Sequence, residues 1–301
     1  MTALRTPSAG IVFFALIALL TQAGCSLLLY LSSFGQDPFT RLPLPVIVMF
    51  GALAAAPLHS LARRLPPPDL LTALALALTL NAALLLLPVL PGETRYLAAP
   101  ATALLLGLLF RNLPRHAGAM LAAMSVYVVA TVLANYTFDS FLPIGGFFLI
   151  NVGTLFFGVT FTQRDRVHRF GRRWVYLMIL MAAVANVLMS LHLGTPMRYV
   201  VVGFLAILLS ESADTEIYAR LLDRPWFTRV ASSNAVSAPL DTTIFTVLAF
   251  AGAEFATIGW MLRVIVTDVL VKYGSGLLAA LQLDAWAPAL VKPELPPRTR
   301  T

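Results

Sequence analysis

Four carboxylates and one lysine lie in parts of the sequence that otherwise read as the interior of membrane-spanning helices. Glu211 and Asp214 directly follow the apolar run YVVVGFLAILLS. If that helix ends near Leu222, they lie about 16 Å and about 12 Å from its end. A carboxylate at this depth is unfavourable unless it faces protein or a water-filled cavity. Both side chains are therefore expected to face inward, either as a buried packing pair or as a site for a polar solute or a proton.

The spacing of the polar residues assigns them to faces of this helix. Glu211, Asp214 and Tyr218 stand at i, i+3 and i+7 and share one face. Glu216 points elsewhere, and Arg220 lies four positions after it. This second pair is predicted to form a solvated helix end.

The next hydrophobic segment carries a similar polar face. Asn234, Ser237 and Asp241 also recur at i, i+3 and i+7, and Asp241 lies about 18 Å from the start of the segment. Pro239 removes one backbone hydrogen bond and can leave a carbonyl free at this level. Small side chains allow close helix packing, which explains the serines of this segment but not Asp241.

The last hydrophobic segment adds Arg263, Asp268 and Lys272. Asp268 and Lys272 are four residues apart and could pair along the helix; Lys272 could also neutralise an acid on a neighbouring helix. Arg263 is nearer the opposite boundary, where it could extend to the interface. Three helices thus bring acids and one lysine to a similar depth, which suits a small polar solute bound near the bilayer midplane.

The sequence lacks the common signatures of membrane enzymes. It contains neither HExxH, which would bind zinc, nor GxSxG, which would present a serine nucleophile. His168 and His192 have no second histidine nearby, and Cys25 is the single cysteine. We therefore assign no catalytic residue and expect neither a metal nor a cofactor.

Composition places the chain in the membrane. Of its 301 residues 59% are hydrophobic and 12% are charged, with a mean hydropathy of +0.83, whereas soluble domains carry about 25% charged residues. The apolar runs are long enough to cross the hydrocarbon core as helices. The predicted fold is an all-α, polytopic transmembrane bundle of about ten spans: 9–31, 43–61, 69–91, 96–112, 117–137, 143–163, 174–193, 198–222, 229–251 and 257–281.

The basic residues predict the orientation of these spans. Most arginines, including the run from Arg164 to Arg173, fall in connections on one side, and only Arg41, Arg95 and Arg198 fall on the other. By the positive-inside rule, both termini are expected in the cytoplasm. The net charge of +7 is then an orientation signal. Nucleic-acid binding is disfavoured, because the charge is spread over short loops.

The polarity of the predicted spans changes near residue 115. Residues 1–114 form a four-span N-terminal segment to which the sequence assigns no role, since its spans contain almost no ionisable group. Residues 115–284 form a predicted six-span transporter domain, with polar residues inside its spans. Residues 285–301 form a cytoplasmic tail rich in proline and basic residues.

Four stretches and one lysine carry a resemblance to a known family. They are YVVATVLANY at 127–136, GTLFFGVTFTQRDRVHRFGRR at 153–173, SESADTEIYARL at 210–221, RVASSNAVSAPLDTTIFTVLAF at 229–250, and Lys272. Over residues 117–281 the chain resembles the queuosine precursor transporters, also called the vitamin-uptake-transporter-like family. These are bacterial inner-membrane carriers of about six spans for 7-deazaguanine bases.

The resemblance implies a multi-pass carrier of the bacterial cytoplasmic membrane that takes up 7-cyano- or 7-aminomethyl-7-deazaguanine. A guanine-like edge offers adjacent N–H donors, which a carboxylate can accept together. The predicted substrate-binding residues are Glu211, Asp214, Tyr218, Ser233, Asn234, Asp241, Lys272 and Asn135.

Two other functions stay open at this stage. The chain could be the substrate-binding membrane subunit of an ATP-driven vitamin importer, or a membrane-embedded enzyme that acts on lipids with the same acids and a divalent metal. The expected partners are the small-molecule substrate, the lipid bilayer and, as an open alternative, further copies of the chain.

Overall fold

The computed structural model describes residues 7–32, 42–85, 94–194 and 196–286. These residues fall into two compact units, one of residues 7–30 and 42–129 and the other of residues 31–32 and 130–286. Residues 86–91 of the third predicted span (69–91) lie outside the described residues, as do residues 287–301 of the predicted tail.

The first unit consists of helices joined by short connections. They are α1 (Pro7–Ser32), α2 (Leu44–Ala52), α3 (Ala55–Ala62), α4 (Pro67–Leu85), a single 3₁₀ turn (Thr94–Leu97), α5 (Ala98–Asn112) and the first part of α6 (Arg115–Tyr136). One apolar core joins Phe14 of α1, Leu58 of α3, Ala73 of α4 and Ala103 of α5. The alanines let these helices approach closely.

The predicted span at 43–61 is a bent pair of helices. Helices α2 and α3 meet at an angle of 44°. Next to the bend, Gly51 packs so closely on the Ala99 carbonyl of α5 that a Cβ atom at Gly51 would overlap it. The glycine therefore sets the distance between α2 and α5.

The second unit begins with the end of α6 and a β-hairpin. Strands β1 (Phe141–Ile144) and β2 (Phe148–Asn151) pair antiparallel, with Phe141 opposite Asn151. Gly145 and Gly146 have φ of +57° and +78°, values that glycine adopts readily, and they reverse the chain. The prediction of one helix over 143–163 is therefore wrong at its start, because this apolar stretch contains a turn.

Five helices follow the hairpin. They are α7 (Val152–His168), α8 (Arg172–Leu193), α9 (Met197–Arg220), α10 (Trp226–Phe250) and α11 (Ile258–Trp286). Buried positions of α9 recur every three or four residues from Val200 to Tyr218, whereas Val201, Leu205 and Leu209 on the other face are exposed. This is the pattern of a helix with one face toward protein and an apolar face toward lipid.

The hairpin is attached to α11. The Arg263 guanidinium donates hydrogen bonds to the carbonyls of Phe147 and Gly146, both at 2.7 Å. The Leu149 N–H donates to the Thr267 hydroxyl at 3.2 Å. Arg263 thus holds the hairpin against α11, whereas from the sequence it could have extended to the membrane interface.

The all-α class of the membrane bundle is confirmed, but the number of ten spans is not. Among the described residues, three helices are long and apolar enough to cross a membrane: Pro67–Leu85, Arg115–Tyr136 and Arg172–His192. Helices α2 and α3 together would make a fourth. Helices α9, α10 and α11 have 24, 25 and 29 residues, and their buried charged and polar side chains lower their hydropathy.

Gly51→Ala is expected to destabilise the protein. The added methyl group would meet a backbone carbonyl that no side-chain rotation can move, and overpacking of this kind costs about 1–3 kcal/mol. We expect the apparent Tm of the purified protein to fall by at least about 3 °C. The matched control is Gly274→Ala in α11, where a Cβ atom meets nothing within 4 Å. An equal effect of both substitutions would contradict the role of Gly51.

Candidate solute site in the second unit

Helix α10 lies between α9 and α11 and turns polar side chains toward both. On the α9 side, the Ser237 hydroxyl donates to Asp214 Oδ1 at 3.0 Å, and the Ser210 hydroxyl donates to Asp241 Oδ1 at 3.4 Å. On the α11 side, Asp241 meets Lys272. The polar faces expected from the i, i+3 and i+7 spacing therefore lie at one three-helix seam.

Lys272 and Asp241 form a buried ion pair across that seam. Lys272 Nζ lies 2.6 Å from Asp241 Oδ2, and both residues are only 3% exposed. The same ammonium donates to the Thr242 hydroxyl at 3.0 Å and lies 4.2 Å from the centre of the Phe157 ring. Of the two pairings that the sequence left open for Lys272, the one with an acid on a neighbouring helix forms, and the one with Asp268 along α11 does not.

Arg164 is a buried part of the site. The arginine run from 164 to 173 was expected in a loop, but α7 continues to His168, and Arg164 is fully buried. Its guanidinium lies 3.1 Å from Glu211 Oε2 and 2.9 Å from Asp214 Oδ2. The acids of α9 therefore pair with a cation from α7. This pairing could not be predicted from spacing, because about fifty residues separate Arg164 from the two acids.

The pair predicted at the end of α9 has a different partner. Glu216 lies 2.6 Å from the guanidinium of Arg172 at the start of α8, and both side chains are about half exposed. It does not pair with Arg220 in this arrangement. The expectation of a solvated helix end holds, and an exposed ion pair contributes little to stability.

A cavity lies beside the Lys272–Asp241 pair. Its volume is about 20 Å³, which accommodates about one molecule the size of water. Of the predicted binding residues, Asn135, Asp241 and Lys272 line it. Asp268, to which sequence analysis assigned only the helical pairing, also lines it, as do Asn151, Thr154, Phe157, Thr242 and Phe245.

Asn135 is held toward the cavity by an amide chain. Its Nδ2 donates to Asn186 Oδ1 at 2.6 Å, and Asn186 Nδ2 donates to the Thr131 hydroxyl at 3.1 Å. Gly203 of α9 leaves room for the Asn135 amide, since a Cβ atom there would lie 3.0 Å from Asn135 Oδ1. Asn186 was not predicted, because a single asparagine in an apolar span carries no spacing signal.

The other predicted binding residues do not line this cavity. Tyr218 contacts His168 in a tilted arrangement with 4.9 Å between ring centres, and the Arg229 guanidinium lies 5.1 Å from the Tyr218 ring centre. The Ser233 hydroxyl donates within its own helix to the Val230 carbonyl at 3.4 Å. Asn234 is fully buried, and its amide has no hydrogen-bond partner in the described part of the chain.

Aromatic side chains close the cavity toward the hairpin. Phe138 and Phe245 line it. Phe138 stacks on Tyr199 at 4.0 Å, and Phe245 contacts Phe250 at 5.9 Å between ring centres. Phe250 in turn contacts Trp260 at 5.3 Å. These side chains form one apolar cluster with Phe141 of the hairpin.

Arg164 does not line the cavity. Along α7, it lies seven residues beyond Phe157, which is about 10 Å of helix. The described residues contain no group of three or more His, Cys, Asp or Glu side chains placed to hold a metal ion. The cavity is lined by polar and aromatic side chains, and the ion pairs of Arg164 lie outside its lining.

Arg164→Met is expected to lower stability sharply. It removes the guanidinium that pairs with Glu211 and Asp214, and removing one partner of a buried ion pair typically costs about 3–5 kcal/mol. Adding Glu211→Gln and Asp214→Asn should recover most of that loss. The measurement is the apparent Tm of the purified variants.

Arg172→Met is the control for this comparison, because it breaks the exposed pair with Glu216 and should cost less than about 1 kcal/mol. If Arg164→Met were as mild as Arg172→Met, the buried cluster would not be a stabilising element.

Residues 191–283 match the model of a family described as "Putative vitamin uptake transporter". The match covers the end of α8, the whole of α9 and α10, and α11 up to residue 283. Over this segment it confirms the resemblance noted in the sequence. For residues 117–190 the resemblance stays a prediction. No curated protein and no solved structure matches the chain. The three helices that carry Asp214, Asp241 and Lys272 thus resemble those of a family of vitamin uptake transporters.

Proposed function

We propose that the chain is a membrane transporter that takes up a queuosine precursor, 7-cyano- or 7-aminomethyl-7-deazaguanine, through the cavity of the second unit. The observation that carries the proposal is the Lys272–Asp241 pair, buried beside a polar cavity within the segment that matches a transporter family. The proposed location is the bacterial cytoplasmic membrane, with the arginine-rich helix ends in the cytoplasm.

The cavity supplies groups that suit a guanine-like base. The Asp241 carboxylate can accept two adjacent N–H groups of the base, each charge-assisted bond contributing about 1.5–3 kcal/mol. Asn135 can donate to and accept from the remaining heteroatoms. Phe157 and Phe245 supply faces on which a planar base can stack.

Solute binding requires the helices to separate, because a two-ring base is several times larger than the cavity of about 20 Å³. In this proposal the solute displaces Lys272 from Asp241. The ion pairs of Arg164 with Glu211 and Asp214 hold α7 against α9 when the site is closed. Glu211 and Asp214 thus act on the solute through closure, while Asp241 and Asn135 contact it.

Asp241→Asn is expected to abolish uptake while leaving the protein in the membrane. The amide cannot accept two N–H groups from the base, and it no longer pairs with Lys272. The readout is queuosine in the tRNA of a bacterial strain that cannot synthesise the precursor and lacks its own carrier, supplied with precursor at limiting concentration. Glu216→Gln on the exposed helix end is the control. Normal uptake by well-expressed Asp241→Asn protein would refute the site.

The double variant Asp241→Asn with Lys272→Met separates stability from transport. Lys272→Met alone leaves Asp241 buried and unpaired, so its Tm should fall by an amount that corresponds to about 3–5 kcal/mol. The double variant should regain most of the Tm but none of the uptake. Uptake that returned together with stability would show that the pair only holds the fold.

A further inference from the structure

One buried carboxylate of the second unit has no cation in contact with it. Among the described side chains of this unit, the most deeply buried carboxylates and cations are Glu211, Asp214, Asp241, Asp268, Arg164 and Lys272. Ion pairs account for all of them except Asp268. A buried charge without a countercharge in a medium of low dielectric constant is strongly unfavourable.

Both cations are already used by other acids. Lys272 donates to Asp241 and Thr242 and lies over the Phe157 ring, and Arg164 pairs with Glu211 and Asp214. The carboxylate that neither cation contacts is Asp268.

Asp268 accepts hydrogen bonds from neutral groups. The Asn151 N–H donates to its Oδ1 at 3.1 Å, and the Thr154 hydroxyl donates to the same carboxylate. It makes no ion-pair contact with any side chain in the described part of the chain. Two neutral donors do not replace a countercharge for a carboxylate that is only 4% exposed.

The cavity gives this carboxylate a place for a small ligand. Asp268 lines it together with Asp241, Asn135 and Asn151, all of which carry side-chain oxygen atoms. Oxygen atoms are the ligands of hard cations such as Na⁺, and a carboxylate oxygen can take up a proton. The volume of about 20 Å³ fits one water-sized species and excludes a larger organic cation.

We infer that Asp268 is the binding site for one small monovalent cation, a proton or Na⁺, in the cavity of the second unit. As a proton, the cation forms one O–H bond at the Asp268 carboxylate; as Na⁺, it takes oxygen ligands there. The charged groups that face Asp268 are Lys272 on its own helix and Asp241 from α10. The hairpin and α7 present neutral Asn151 and Thr154.

The cation also supplies a source of energy for uptake, and this part of the inference rests on the proposed function. A cation that enters with the solute is driven inward by a membrane potential that is negative inside. At about 100 mV one such charge supports an accumulation of about 50-fold. The site would then couple the two movements, since Asp241 and Asp268 line the same cavity.

The first test needs no solute. The apparent Tm of the purified full-length protein is measured against pH at constant Na⁺, and against Na⁺ replaced by choline at constant ionic strength. A ligand that binds the folded state raises the Tm, so we expect a rise of at least about 3 °C either as the pH falls or as Na⁺ increases. That result also identifies the cation. Asp268→Asn should abolish the response, and Glu216→Gln should retain it.

Either of two results would overturn the cation site: a wild-type Tm that responds to neither cation, or a response that Asp268→Asn leaves unchanged. Asp268→Glu keeps the carboxylate and should keep the response. If the Asp268→Asn protein fails to fold, the Asp268→Glu protein is compared with the wild type instead. Loss of the Tm response in folded Asp268→Glu protein would count against the site.

The second test uses proteoliposomes and the neutral 7-cyano precursor, so that any charge moved belongs to the cation. Wild-type protein should accumulate solute under a proton or Na⁺ gradient, and Asp268→Asn should only equilibrate it. Equal accumulation by both would overturn the coupling. If no gradient moves solute into wild-type vesicles, the proposed function fails, whereas the cation site is decided by the Tm result.

Discussion

The second unit buries charged side chains in an apolar environment, where a charge without a partner of opposite sign is strongly unfavourable. The Lys272–Asp241 pair is the centre of this arrangement, because its 2.6 Å contact joins the two helices that form one side of the cavity. The Arg164 cluster does the same between α7 and α9. Replacing such pairs by apolar residues is often neutral or stabilising, so stability alone is a weak reason for a chain to carry them. The Lys272–Asp241 pair also lines a polar cavity, which a carrier of polar solutes requires.

Hydropathy was sufficient to locate the helices. Each predicted span has a helix, or a bent pair, at its position. The hairpin escaped because FLPIGGFFLIN is apolar throughout, although Pro143 and the pair Gly145–Gly146 are ordinary signs of a turn. The bend between α2 and α3 has a signal of the same kind in Pro57, which has no N–H to donate to the carbonyl four residues before it, in the break between the two helices.

The face of each polar helix could be predicted, but the partners across faces could not. Helical periodicity put Asn234, Ser237 and Asp241 together, whereas for Lys272 the sequence left open whether it pairs with Asp268 four residues before it or with an acid on a neighbouring helix. The role of Arg164 could not be predicted from the residues next to it in sequence, since QRDRVHR has the composition of a loop. Pairings of this kind join residues about thirty to fifty positions apart and are set by how the helices pack.

Asn151 has a consequence for how the unit can move. Its side chain caps α7 by accepting from the Gly153 N–H and ties to the Phe138 carbonyl, while its backbone N–H bonds Asp268 of α11. One residue therefore links the end of α6, the hairpin, α7 and α11 into a single body. Helices α9 and α10 are joined to that body through ion pairs, which water can replace, and through the aromatic contacts of Phe138 with Tyr199 and of Phe250 with Trp260. In a rocking motion the boundary between moving parts would run along those ion pairs, with the cavity opening at the seam itself.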